Sequence, residues 1–429
     1  MEIYVVQQGD SIYSIAERYA ISPDKLVDDN GLIYPYNLVN GQALIITFPK
    51  QTHTVQEGET LQSIADFYNV TLMQIIRNNP SHAALDYINP GETLVISYNT
   101  SKSIAINGFA YPYIRKDILI RTLPNLTYLT IFNYTITDRG GIITYHDDSD
   151  TIKTAIDYGV IPLLMLTVLT PQGFAKAEAA YNILLNDVYQ ERIINECINI
   201  IKKQGYMGIN FVFNFLNENN QSLYLNFAKK ISNRLLQQGL LFFISINYSE
   251  QETNNLISVE QINYSSLSDY VNGLIFLKFV WGYNNNPPAP VSNINNIRVL
   301  IDYVASGVSS DKIFIGKPVI GYDWQLPYVP NRTVAFSLTV NSALELAYNV
   351  DAIIQFDEAS QTPYFYYNEF IYGYPAQHIV WFIDVRSIDA LNQIIIEYGL
   401  YGSGVWNIMV YYQQLWTAIN SSFDIIKLI

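Results

Sequence analysis

The stretch Gly208-Ile209-Asn210-Phe211-Val212-Phe213-Asn214 is where this chain would place reactive groups, because an apolar run there is interrupted by the polar side chains of Asn210 and Asn214. Extended backbone alternates its faces, so Asn210 and Asn214 share one side with Val212, while Ile209, Phe211 and Phe213 share the other. If the second set packs under helices, the first set lines a barrel mouth. Cleavage of a glycosidic bond at such a mouth needs a group that hands a proton to the leaving oxygen and another that supports positive charge at the anomeric carbon. Valine does neither, and an amide does not titrate in the working range.

Other chemistry is thinly supplied. Four scattered histidines and a single cysteine, Cys197, give no zinc or iron constellation, so neither metal nor cofactor is expected. Cys197 has no partner in the chain and reads as a small buried hydrophobe. The net charge of −14 with no run of Lys and Arg argues against nucleic acid. Charged residues are only 14% of the chain and there are 35 tyrosines, so the surface is rich in Asn, Ser, Thr and Tyr. That composition suits packing against protein or sugar, although a bias towards Asn, Ile and Tyr would produce it too.

The elements that position these residues fall into two parts. In the first hundred residues Tyr4-Val5-Val6-Gln7-Gln8-Gly9-Asp10-Ser11-Ile12, then Ile15-Ala16 and Tyr19, recurs as His53-Thr54-Val55-Gln56-Glu57-Gly58-Glu59-Thr60-Leu61, then Ile64-Ala65 and Tyr68. Asn30 matches Asn79, and Gly41-Gln42-Ala43-Leu44 matches Gly91-Glu92-Thr93-Leu94. Each copy reads strand, turn with a helix cap at Asp10 or Ser11 (Glu59 or Thr60), two helices and a closing strand. The expected modules are residues 1–49 and 50–99.

This pattern resembles the LysM domain, a βααβ module that binds N-acetylglucosamine-containing glycans such as peptidoglycan. The resemblance implies sugar contact between the turn after the first strand (Gly9, Asp10, Ser11, Ile12; Gly58, Glu59, Thr60, Leu61) and the loop before the last (Tyr36, Asn37, Leu38, Val39; Tyr87, Ile88, Asn89, Pro90). Capping alone also requires the polar residues at these turns.

From residue 100 to 429 apolar runs recur at 104–111, 128–134, 160–169, 208–215, 240–247, 273–280, 312–320 and 404–409, separated by amphipathic stretches. Near-continuous apolar strands alternating with helices predict an α/β fold, a (β/α)8 TIM barrel with its ligand site at the C-terminal strand ends. The gap before the last run predicts a small insertion near residues 355–385. The longest apolar run, 160–169, is about half a bilayer span, so no membrane crossing is expected. The N-terminus has neither a basic start nor an apolar leader, so export by a standard signal is not expected.

The barrel half is similar to glycoside hydrolase family 18, and the whole architecture resembles spore cortex-lytic N-acetylglucosaminidases. The residues that carry this include Asn107-Gly108-Phe109-Ala110-Tyr111, Gly208-Ile209-Asn210, Gly321-Tyr322-Asp323-Trp324, Gln355-Phe356-Asp357-Glu358 and Gly404-Val405-Trp406-Asn407. The family's fourth strand carries Asp-x-x-Asp-x-Asp-x-Glu, whose Glu is the acid and whose preceding Asp orients the substrate's acetamide. Met207, Asn210, Val212 and Asn214 stand at those positions. On the sixth strand Phe279 and Val280 stand where the family has a Tyr and an acid. The resemblance also implies a sugar-binding mouth of Tyr111, Asp323, Trp324, Glu358 and Trp406.

With those acids missing, the sequence is read as a non-catalytic glycan-binding or structural protein of the spore envelope. It would be made in the mother-cell cytoplasm, bind peptidoglycan or spore cortex, and contact itself or other spore-coat proteins. Two alternatives stand beside this reading. One is a self-assembling structural or inclusion protein, suggested by low charge and abundant tyrosine. The other is an active N-acetylglucosaminidase using a substitute acid such as Asp323, Asp357 or Glu358.

Overall fold

The computed structural model describes the chain apart from residues 83–86, 172, 175, 176, 249, 254, 255, 279–282 and 372, and apart from the side chains of 250–253, 256, 257, 283 and 371. The repeat folds as two βααβ modules. The first comprises Glu2–Val5, Ile12–Arg18, Pro23–Asn30 and Ala43–Ile46; the second comprises Gln51–Thr54, Leu61–Tyr68, Leu72–Asn78 and Thr93–Ser97. Each pairs its two strands antiparallel.

Hydroxyls, not carboxylates, cap the first helices. Ser11 Oγ accepts from the Ser14 amide while Ser14 Oγ accepts from the Ser11 amide, and Thr60 and Ser63 repeat this reciprocal pair. Gly9 and Gly58, at φ +87° and +83°, turn the chain into these caps in a conformation that side chains resist.

The matched asparagines close each module. Asn79 Nδ2 donates to the carbonyls of Ile75 and Val95, and its Oδ1 accepts from the Val95 amide, all at 2.8 Å. Asn30 does the same with Leu26 and Ile45. One buried side chain thus ends a helix and fixes the last strand. Asn79→Ala is expected to destabilise the second module by about 2–4 kcal/mol, because buried main-chain groups lose their partners. Thermal denaturation combined with hydrogen exchange at Val95 checks this; an unchanged midpoint and unchanged protection would count against it.

Among the described residues eight parallel strands close a barrel: Lys102–Ala110 (β1), Tyr128–Ile136 (β2), Ile161–Thr167 (β3), Gly208–Phe213 (β4), Leu241–Ile246 (β5), Gly273–Phe276 (β6), Ile313–Pro318 (β7) and Gly402–Trp406 (β8). Each pairs with its neighbours in order, and β8 pairs with β1. On β4, Ile209, Phe211 and Phe213 pack outward against helices, whereas Val212 joins the interior cluster, as alternation requires. Phe109, Tyr128, Phe132, Phe243, Phe314 and Trp406 fill that interior.

The insertion is larger than expected. A six-stranded antiparallel sheet takes Gly321–Leu326, Ala335–Leu338, Gln355–Asp357, Thr362–Ile371 and Tyr374–Phe382, together with Tyr283–Asn284 that follows β6. It therefore begins at Gly321, directly after β7, and residues 355–385 form only its second half. Alternating tyrosines such as Tyr364 and Tyr366 give its strands a mixed face in place of a continuous apolar run.

The modules are docked on the barrel. Asn40 O accepts from the Ile354 amide at 2.9 Å, and Gly41 lies so close that a Cβ would meet Ile354 O at 2.0 Å. From the helix Gln413–Ser422, Gln414 Nε2 donates to Asn30 Oδ1 and Ala43 O, and Asn420 Nδ2 donates to Arg77 O in the second module. Among the described residues no helix is long and apolar enough to cross a membrane.

Candidate functional site

The C-terminal end of the barrel holds the residues expected to do chemistry. Asn210 is fully buried in a chain of side-chain hydrogen bonds that crosses the interior: Ser245 Oγ donates to Asn210 Oδ1 (2.8 Å), Asn210 Nδ2 to Thr130 Oγ1 (3.1 Å), and Thr130 Oγ1 to Asn107 Oδ1 (2.7 Å). The chain ends at Asn107 Nδ2, which is buried without a partner. Val212 packs in the apolar cluster that holds Met165, Leu277 and Trp406, and Met207 lies against the same cluster. Asn214, half-buried beyond β4, donates to Thr167 Oγ1 at 3.2 Å. Phe279 and Val280 lie outside the described residues.

The expected sugar-binding mouth is only partly assembled. Trp406 is 2% exposed, with the rings of Phe109 and Phe132 at 5.6 and 6.5 Å. Tyr111 stacks between Phe132 and Tyr113 at 5.1 and 5.2 Å, and burial pushes its hydroxyl well above the ordinary phenol range. These two therefore belong to one aromatic plug. Trp324, 1% exposed, instead lines a separate cleft of about 750 Å³ with Tyr322, Asn247, Tyr248 and Lys278, at the ends of β5, β6 and β7.

Asp323 points to the other face of the insertion sheet, since strand alternation parts it from Tyr322 and Trp324. There it accepts from Tyr367 Oη (2.6 Å) and lies 3.0 Å from His378 Nδ1. Glu358 is exposed at the turn between Gln355–Asp357 and Thr362–Ile371, bonded to Gln361, and Asp357 accepts from the Ser360 amide. Neither is gathered with Trp406. Among the described residues lining the cleft none is a carboxylate. Its Lys278 cation and asparagine amides can hold hydroxyl and amide groups of a sugar.

At the start of the helix Ser149–Asp157, Asp147 makes the turn, accepting from the Ser149 amide. Asp148 is buried and accepts from Tyr134, Tyr206 and Asn133. The sequence reading missed the Ser245–Asn210–Thr130–Asn107 chain and the asparagines of the cleft. The signal was present as Ser245 and Asn247 at alternate positions of an otherwise apolar run.

Both modules present the expected turn and loop side by side, but their surroundings differ. Asp10 accepts from Tyr4 Oη and the Gln7 amide; Glu59, at the matching place, accepts from the Gln56 amide and pairs with His53, which together hold its carboxyl below the usual range. Ile12 and Leu61 turn into the module cores. In the first module Val39 is buried against the barrel, and Gln8, Leu38 and Asn40 share a cavity of about 560 Å³ with Tyr348 and Asn349 of the insertion. In the second, Tyr87, Asn89 and Pro90 are exposed, Ile88 packs on the core, and Gly58 and Gly91 have open space around them. Asn89 donates from its side chain and its amide to Glu92, which is held at about 2.

The chain matches Glycosyl hydrolases family 18 over residues 172–409, and the LysM domain over residues 4–47 and 53–97. YdhD of Bacillus subtilis is 30% identical over 95% of each chain. The cortical fragment-lytic enzyme of Bacillus subtilis is 28% identical over 100% of this chain and 99% of its own. The crystal structure of the Bacillus cereus spore cortex-lytic enzyme SleL superposes with a TM-score of 0.78 at 27% identity, covering 99% of each chain. End-to-end likeness to proteins named as lytic enzymes overturns the expectation of a non-catalytic or purely structural protein. The error lay in letting the missing groups on the fourth and sixth strands decide for a cleft whose other walls the sequence had not placed.

Proposed function

Since this chain belongs to glycosyl hydrolases family 18, we propose that it is a spore-associated glycosidase that cleaves N-acetylglucosamine-containing glycan of the cortex, with the LysM domains holding the glycan. The observation that carries this reading is the alignment, over the full length of both chains, with cortical fragment-lytic enzymes. The exposed Tyr87, Asn89 and Pro90 of the second module and the amide-lined cleft beside Trp324 support it.

Val212 and Asn214 supply no proton, so the acid in this reading comes from a loop at the C-terminal face, where barrel sites are built. The purified chain is expected to release reducing ends from cortex fragments. Absence of release from the natural chain would sink the reading.

A further inference from the structure

A second polar groove, of about 860 Å³, lies between the two LysM modules and the barrel, away from the turns and loops described above. Its walls are the helix Pro23–Asn30 of the first module, the end of Leu72–Asn78 in the second, and the helix Gln413–Ser422 with Arg121 of the barrel. Three of its polar side chains are unusual in having chemistry to spare.

Arg77 is 6% exposed, yet among the described residues its guanidinium makes neither a hydrogen bond nor an ion pair. Burial lowers it to about 10 and Asp424 supports its charge, so it remains a cation at neutral pH. Arg121 lies with its guanidinium 4.1 Å over the Tyr411 ring, and among the described residues its Nε has no acceptor. Asn420, 4% exposed, uses its amide hydrogens on Arg77 O and Asn125 Oδ1 but leaves Oδ1 without a donor. A buried cation without a partner costs stability, and such sites persist where a ligand supplies the missing group.

Two of the acidic groups of the groove are already occupied. Asp29 is held by Lys25 and Thr47, and Glu92 by His82 and Asn89. Asp24 and Asp28 carry no side-chain hydrogen bond among the described residues, and burial raises Asp28. The groove is therefore polarised, with two guanidiniums that lack a carboxylate partner among the described residues on one side and free carboxylates on the rim of the first module.

We infer that this groove is a site for a carboxylate borne on a saccharide, with the carboxylate taken by Arg77 and Arg121 and neighbouring hydroxyl or amide hydrogens given to Asp28. Guanidinium forks fit carboxylates in a planar, two-bond fashion, and a sugar provides the donors that a bare anion lacks. The inference rests on the glycan reading above and deepens it: the docked modules and barrel would together select acidic sugar residues in the strand.

Titration calorimetry of the intact chain tests this with N-acetylglucosaminyl-N-acetylmuramic acid, whose lactyl ether ends in a carboxylate, against neutral di-N-acetylchitobiose. The acidic disaccharide is expected to bind roughly ten- to a hundred-fold tighter, and Arg121→Gln to erase that difference while leaving chitobiose unchanged. Because Arg77 is buried, Arg77→Lys, which keeps the charge, serves as its conservative variant and is expected to retain part of the preference. Equal affinity for the two disaccharides, or a preference untouched by Arg121→Gln, would overturn the inference. So would inorganic phosphate binding as tightly as the acidic disaccharide, since the site would then take a bare anion. Intact chitobiose binding and reducing-end release alongside any of these results would leave the glycosidase reading standing. Loss of all binding and release would remove both.

Discussion

The double variant Val212→Asp/Asn214→Glu is expected to cleave cortex glycan faster than the natural chain, by up to roughly 10²-fold, because β4 then supplies a general acid beside the one the natural chain uses. The geometry favours it. Asn214 stands half-buried at the end of β4 beside Thr167, so a Glu there, one methylene longer, projects from the same point with the Thr167 hydroxyl near its stem. Val212 lies two residues earlier on the same face, among Met165, Leu277 and Trp406, where low polarity raises the affinity of a carboxyl group for its proton. That same environment makes Val212→Asp costly, on the order of several kcal/mol of stability, because the cluster offers no donor. Single variants separate the two effects: Asn214→Glu should fold as the natural chain does, whereas Val212→Asp should lower the unfolding midpoint. A folded double variant with unchanged turnover would show that β4 no longer faces the scissile bond.

How far the sequence discloses this molecule follows from the range of the interactions concerned. The modules are legible because each is closed by local devices repeated at fixed offsets: a serine or threonine cap, a glycine at positive φ, and an asparagine that ties helix to strand. The barrel is legible because strands covered on both faces need continuous apolar runs. The insertion is not, since its strands are half-exposed and rich in tyrosine, and Gly321–Leu326 follows β7 with little break. Misplacing that boundary misplaced Asp323, whose neighbours Tyr322 and Trp324 line a cleft that Asp323 itself faces away from. Trp406 lies at the end of β8, but Phe109 and Phe132, which close over it, come from β1 and β2 far along the chain. The groove holding Arg77 and Arg121 was out of reach for the same reason: it exists only because Gln414 and Asn420 dock both modules against one barrel helix.

Replacing Lys317 by methionine is expected to stabilise the fold at neutral pH by several kcal/mol, about 5 at most. Lys317 is fully buried on the helix-facing side of β7 with Ile313 and Ile315, and among the described residues its one hydrogen bond is to Ser403 Oγ at 3.0 Å. Burial lowers its ammonium from 10.5 to about 7. Below about pH 7 the group is charged in both folded and unfolded chains, so the fold carries the whole desolvation penalty. Between pH 7 and 10.5 the unfolded chain binds the extra proton, and stability from this group rises by about 1.4 kcal/mol per pH unit. Lys427 is lowered to about 7 as well, though it donates to three carbonyls. The variant should therefore lose about half of the alkaline rise and keep the rest. Methionine nearly matches the lysine stem in volume, and Ser403 still donates to Ile315 O, so the exchange strands no polar group. Urea denaturation of both chains at pH 7 and pH 9.5 decides the matter: a variant weaker than the natural chain at pH 7 would mean that the ammonium, not its stem, is what the barrel wall requires.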